Sequence, residues 1–283
     1  MDRLGPIICW LPFLVAACND DTVVSAGGLD SSLEGAPAMD AGPLPDLPLR
    51  PLRILFFTKE TLYFHTDAHT VGDPAVSQYL ASRGHAVTMS ADAAIFSPAG
   101  LAPFDVVLFF VTSGNFMDDA NKAAFSAFIT SGHGFAGVHS ASITEYDWPF
   151  FTQLVGATFW GHGTGSDQIT QARVLVAAPG VPLVSFLPRP WVRSDEWYYF
   201  TTNPADNAAL EQLLLLDETS LPADYPDAGW TGAHPLSWRQ SFQGGRSFYT
   251  ALGHTGESYT EDLFLATIAL GVEWAGAPST RNP

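Results

Sequence analysis

The sequence predicts an α/β fold: a mainly parallel, doubly wound sheet flanked by helices, with an elaborated, β-rich second half. Three observations carry that prediction. Strand-like and helix-like segments alternate from Leu52 to Val138, as they do in a parallel sheet. The strand-like segments are apolar on both faces, as strands covered by helices on each side must be. Finally, the run Gly134-Phe135-Ala136-Gly137-Val138 ends abruptly in His139-Ser140-Ala141-Ser142. Small residues there permit a tight turn that lifts a side chain into the crevice at the carboxyl ends of the strands, where open α/β sheets bind ligands.

In chain order, Arg3 precedes an apolar run from Ile7 to Val15 that is too short to span a bilayer. It closes in Val15-Ala16-Ala17-Cys18, which resembles the lipobox of bacterial lipoproteins. Residues 1–18 are therefore expected to be a lipoprotein signal peptide, with Cys18 the lipidated residue and the chain anchored in the bacterial cell envelope, at a periplasmic or outer-surface face. Ordinary secretory cleavage after the same alanines is the alternative. The only two cysteines, Cys9 and Cys18, fall in this segment, so the remaining chain has neither a disulfide nor a thiolate nucleophile. Residues 19–51, acidic and rich in Pro, Gly and Ala, lack hydrophobic periodicity and read as a disordered tether.

A single domain is expected over 52–276, with a flexible tail at 277–283. Leu52 to Thr58 reads as the first strand. A helix follows from about His69 to Arg83, with Gly84 as its stop. Further strands are expected at His85–Ser90 and Phe104–Val111, and a helix capped by Asp118 or Asp119 runs to Ser131. Beyond the His139 turn, Tyr146–Val155 is expected to be helical with Pro149 in its first turn. Gln171–Ala177 and Asp195–Phe200 read as strands, Ala209–Leu216 is a further apolar run, and a closing helix spans about Thr260 to Trp274.

A formal net charge of −17 argues against nucleic-acid binding, which draws on a basic surface. With 20 Phe, 8 Trp and 8 Tyr the domain is well packed and has aromatic faces to spare for sugars. Among these, Trp160, Trp197 and Trp238 are candidates to stack on a pyranose face, with core packing the alternative for each. The expected partner is a small-molecule carbohydrate, together with the membrane through the lipid anchor. Oligomeric state is left open.

The polar residues fall at strand ends. His65 lies beyond the first strand, Thr112 and Ser113 after the third, His139 after the fourth and His254 after a late one. In a parallel sheet all would rise from one edge. His162 and the pair Asp195-Glu196 sit in segments that could fold over that edge, although neighbours on a strand face opposite ways. Such a cluster suits either a divalent metal, with His65, His139, His162 and His254 as candidate ligands, or general acid–base chemistry by His139, His254 and Glu196. Thr112 and Ser113 are candidate substrate contacts. An ion pair with Arg193 is the other reading of Glu196. His85 and His133 adjoin strand starts, at the wrong edge. Ser113, Ser140 and Ser142 raise a hydrolase reading, but there is no GxSxG. There is no HExxH or paired CxxC either, and no nucleotide cofactor is expected.

Five ordered stretches carry a family resemblance: Gly134 to Ala141, Gly156 to His162, Asp195 to Tyr198, His234 to Trp238, and Gly245 to His254. Together they resemble the motifs of the ThuA-like (trehalose utilisation) family over about Leu52 to Ala275. The resemblance implies a class I glutamine amidotransferase-like, flavodoxin-like fold in which the catalytic cysteine position is taken by His139, and His254 resembles the partner histidine. Glutaminase chemistry is thereby excluded. One departure is Gly163, where relatives often carry proline. The implied function is a carbohydrate-active enzyme of sugar or keto-sugar catabolism. A non-catalytic sugar-binding or envelope interaction module on the same scaffold is the alternative.

Overall fold

The computed structural model describes residues 41–45, 50–223, 225, 229–230 and 232–277. The expected signal peptide with Cys18, most of the expected tether and the tail beyond residue 277 lie outside the described residues.

The first strand, β1 (Arg53–Phe57), is enclosed from Ile54 onward, as its uniformly apolar composition requires. Helix α1 (Thr66–Ser82) turns Ala68, Gly72, Val76 and Leu80, spaced four apart, towards the sheet. Strand β2 (Ala86–Ser90) and the short α2 (Pro98–Leu101) lead to β3 (Val106–Phe110), which is wholly buried. Helix α3 (Asp119–Thr130) begins at Asp118. That carboxylate accepts from the Asn121 amide while the Asn121 side chain bonds back to Asp118, a reciprocal cap. Next come β4 (Gly134–Val138) and α4 (Pro149–Val155), whose leading proline gives up an N–H that would have no intrahelical partner. The rest of the chain supplies β5 (Phe159–Gly161), β6 (Thr170–Val176), β7 (Trp191–Asp195), β8 (Tyr199–Phe200), β9 (Glu211–Asp217), β10 (His234–Phe242), β11 (Gly245–Thr250) and α5 (Asp262–Gly276).

Nine strands form one mixed sheet in the order β2-β1-β3-β4-β11-β10-β9-β6-β7. The pairings from β2 to β11 are parallel, and those from β11 to β7 antiparallel. The parallel half delivers the carboxyl ends of β1, β3, β4 and β11 to one edge. Helix α5 is apolar almost all round and packs on β11, β4 and β3. It lies directly on β4 because position 134 is glycine: a β-carbon there would collide with the Ala275 carbonyl.

Two expectations are corrected. Asp195–Phe200 is not one strand but two, separated by Glu196, Trp197 and Tyr198. The Asp195 carboxylate accepts the Glu196 amide at 3.0 Å, which ends β7, and β8 leaves the main sheet to pair with β5. The helix expected from Tyr146 starts only at Pro149. Among the described residues no helix is long and apolar enough to cross a membrane.

Candidate functional site

Strand β4 delivers His139 to the sheet edge with a backbone φ of +54°, in the left-handed region that non-glycine residues rarely adopt. Such a conformation costs about 1–2 kcal/mol. The structure holds it with the Tyr249 hydroxyl, which donates to the His139 carbonyl at 2.8 Å. From the end of β1 and the start of α1 comes His65, and from the loop after β11 comes His254. The three rings form a near-equilateral triangle, with centroids 5.0, 5.1 and 5.2 Å apart. One nitrogen from each lies within 4.8 Å of the other two.

Two of these imidazoles have their second nitrogen occupied by a fixed acceptor. His139 Nδ1 is 2.8 Å from the Ala251 carbonyl, so it carries the proton and Nε2 turns a lone pair into the centre. His65 Nδ1 is 2.6 Å from Glu60 Oε1, which aims its Nε2 the same way. Glu60 also accepts the His65 amide at 3.0 Å and pairs with His69 Nε2 at 3.2 Å, and His69 Nδ1 reaches Asp73 at 2.9 Å. An imidazole oriented by a carboxylate or carbonyl behind it is the usual arrangement of a metal-ligating histidine.

Glu196 lies on the other side of the triangle. Its Oε2 is 3.1 Å from His254 Nδ1 and 3.4 Å from His139 Nε2. Its Oε1 accepts from Gln168 at 2.8 Å and faces His162 Nδ1 at 3.4 Å. The Tyr198 hydroxyl donates to His139 Nε2 at 2.8 Å, with the two rings stacked 4.3 Å apart. His162 is thus a rim residue that touches Glu196 rather than a fourth corner of the triangle.

Charge in the centre is set by burial against pairing. Burial pulls the Glu196 pKa up, but hydrogen bonds and charge from His139 and His254 hold it well below the usual carboxylate range. Burial pulls His254 down, and Glu196, backed by Asp195 and Asp67, outweighs it and raises the pKa. His65 is lowered to about 4, first by burial and then by the neighbouring histidines, with Glu60 opposing. Burial, then the charge of Glu196, pushes the Tyr198 phenol well above its normal value. At neutral pH the centre therefore holds a carboxylate at Glu196, a neutral His65 and a phenol that keeps its proton, with His254 biased towards its protonated form by the carboxylate beside it.

Asp195 organises the loop that carries His254. Fully buried, it accepts the amides of Gly253 at 2.9 Å, His254 at 3.1 Å and Glu196 at 3.0 Å, and it pairs with Arg193 at 3.1 Å. One carboxylate thus fixes the backbone of two site residues. Arg193 is held between the rings of Trp191 and Phe264, 4.6 and 4.5 Å from its guanidinium carbon. It therefore pairs with Asp195, and Glu196 remains free to face the histidines.

His139, His254, His65 and Glu196 meet as the strand-end argument expects. Four other candidates have their polar groups engaged within the chain. Thr112 is buried with its hydroxyl on Thr144 at 2.7 Å. The Ser113 hydroxyl is taken by the backbone of Leu62 and Tyr63. Trp197 and Trp238 are enclosed, their indole N–H groups donating to the carbonyls of Thr170 and Val155. Their rings belong to the core, so they cannot present a face to a sugar. Trp160 does reach solvent. The serine-hydrolase reading also fails. Ser142 bonds to Tyr249 and the His139 carbonyl, and Ser140 makes no side-chain hydrogen bond. His85 and His133 are held at the opposite edge by Glu273 and Ser131. His234 is buried and braces the Tyr198 carbonyl at 2.8 Å. Glu60, His69 and Tyr198 escape the sequence argument. Tyr198 looks like a strand residue, and Glu60 gains meaning only once His65 is placed beside it.

Comparison with known proteins follows the same lines. The family model for ThuA, described as trehalose utilisation, matches residues 53–275. No curated protein matches the sequence. Among solved structures, a ThuA-like protein from Bacteroides uniformis superposes with a TM-score of 0.67 at 20% identity, covering 82% of this chain and 94% of that one. A ThuA-like protein from Parabacteroides merdae gives 0.61 at 18% identity, covering 83% and 93%. At these identities the likeness is one of fold.

Proposed function

We propose, from the premise that the chain belongs to the ThuA (trehalose utilisation) family, that it is an enzyme acting on a sugar or keto-sugar derivative at the His65–His139–His254 centre. The observation that carries the reading is the pair of oriented imidazoles: His65 backed by Glu60 and His139 backed by Ala251, both beside His254, with Glu196 against His139 and His254. Residues that only packed the core would not need two separately fixed tautomers around a shared point.

Three imidazoles with a carboxylate alongside are a donor set that fits a divalent cation such as zinc. His65, His139 and His254 would hold it, and when bound it would polarise a substrate carbonyl or hydroxyl as a Lewis acid. Proton movement belongs to the chain's own groups. Glu196, kept ionised, is the base closest to the centre, and its Oε1 is oriented by Gln168. Tyr198, whose phenol stays protonated, serves as a hydrogen-bond donor rather than a base. His162 touches Glu196, and Trp160, two residues earlier, reaches solvent.

The test uses metal analysis of the purified chain and a panel that includes trehalose and its keto derivatives. Stoichiometric metal and turnover are expected in the wild type, with both lost in His139→Ala while far-UV circular dichroism is unchanged. Sugar binding without metal or turnover would replace the enzyme with a binding module. Full activity in His139→Ala would end the proposal.

A further inference from the structure

Directly before His65 the chain shows three large apolar side chains in succession to solvent: Leu62 at 45%, Tyr63 at 54% and Phe64 at 74% relative exposure. Isolated exposed hydrophobics are ordinary, but a contiguous group beside a polar centre is not. The segment is also fastened in place. Ser113 Oγ accepts the amides of Leu62 and Tyr63 at 3.3 and 3.1 Å and donates to the Tyr63 carbonyl at 3.0 Å. The Thr61 amide donates to the Ser113 carbonyl at 2.8 Å, and Glu60 takes the His65 amide. Gly114, with φ at +81°, leaves the room in which Thr61 and Leu62 sit. The chain therefore holds an apolar platform on a fastened stretch of backbone that ends directly before His65, a candidate ligand. Trp160, two residues before His162, is 47% exposed.

From this arrangement we infer that the Leu62–Tyr63–Phe64 platform binds an apolar aglycone, an aryl or alkyl group carried by the sugar whose hydroxyls engage the histidine centre. The inference rests on the sugar reading above. A second sugar ring would need hydrogen-bond partners beside the stacking face. Here the amides of Leu62, Tyr63 and His65 and the Tyr63 carbonyl are already engaged, which leaves the Tyr63 hydroxyl as the polar group the three side chains offer. Residues 61–64 carry no charge and the chain as a whole is at −17, so an anionic ligand or an anionic lipid surface is a poor match. A neutral apolar group attached to the substrate fits both facts and is continuous with the site.

The test is calorimetric titration of the full chain with methyl and phenyl β-D-glucopyranoside, in the wild type, in Tyr63→Ser/Phe64→Ser and in His139→Ala. The phenyl glucoside is expected to bind about tenfold more tightly than the methyl glucoside to the wild type, and this advantage should disappear in the double variant. Equal affinity for the two probes, including none for either, overturns the inference, as does an advantage that survives the double variant. Methyl glucoside binding that depends on His139 but gains nothing from the phenyl group would sink the platform and leave the sugar reading standing. A phenyl advantage that is lost in the double variant but is indifferent to His139 would keep the platform and sink the sugar reading. Sedimentation with phosphatidylcholine vesicles closes the remaining route. Loss of vesicle binding in the double variant, with no phenyl advantage in the wild type, would assign the platform to a lipid surface instead.

Discussion

Replacing Asp195 with alanine should cost the chain at least about 3 kcal/mol of stability. The figure follows from what the carboxylate holds. Two buried amides, those of Gly253 and Glu196, and the part-buried amide of His254 lose their acceptor, and Arg193 loses its closest carboxylate at a site where its own side chain is only 5% exposed. Breaking one partner of a buried ion pair costs about 3–5 kcal/mol, and each orphaned amide adds about 1–3 kcal/mol unless water enters. Glu261, 3.3 Å from the Arg193 guanidinium, recovers part of this. Asp195→Asn keeps one acceptor oxygen but turns a donor towards another donor, so about half the loss is expected. The assay is urea unfolding followed by tryptophan fluorescence. At an m-value of about 3 kcal/mol/M the midpoint of Asp195→Ala falls by more than about 1 M. Arg50→Ala, which breaks an exposed pair with Asp105, serves as control and should stay within about 1 kcal/mol of wild type. A loss below about 1 kcal/mol for Asp195→Ala would show that water replaces all four bonds and that the carboxylate is not what fixes the His254 loop.

Three further outcomes are expected. Glu60→Gln should weaken cobalt binding, followed by its visible absorption, by about 10- to 100-fold, because the amide cannot hold His65 Nδ1 as the carboxylate does; unchanged affinity would remove Glu60 from the site. His69 has a pKa raised from 6.5 to about 9, with burial opposing and Asp73 and Glu60 prevailing. Its contribution to stability is therefore fully present below pH 6.5 and is lost as pH rises through about 9, a loss that solvent screening limits to about 1 kcal/mol and that His69→Gln should abolish in unfolding curves taken across that window. At position 139 the usual order of small residues should invert. His139→Gly should be about 1 kcal/mol more stable than His139→Ala by chemical denaturation, since only glycine accepts φ +54° without strain. The reverse order would mean that the backbone relaxes once the imidazole is gone.

Much of this architecture was legible in the chain because its signals are local. The apolar runs behind β1, β3 and β4 leave little choice but buried parallel strands, and a histidine at the end of such a run is at the ligand edge by topology alone. That reasoning placed His65, His139 and His254 together. It failed where side chains serve the backbone. Thr112 and Ser113 stand at the correct edge, yet their hydroxyls are spent on Thr144 and on the loop before His65. Trp197 has the composition of a binding residue but fills the space left where β7 ends, and its neighbour Tyr198 enters the site for the same reason. Nothing in Glu-Trp-Tyr marks a strand break. The break comes from a bond between the Asp195 carboxylate and the next amide, a contact that no residue pattern announces.

In the finished sheet β11, late in the chain, lies between β4 and β10, its partners on either side. Until residues 245–250 emerge during synthesis, the molecule is two half-sheets whose facing edges are unpaired backbone, open to wrong partners. His254 follows that strand in the chain, four residues beyond its end. A chain that ends before β11 can therefore own every other strand of the sheet and still lack His254, the third corner of the histidine triangle.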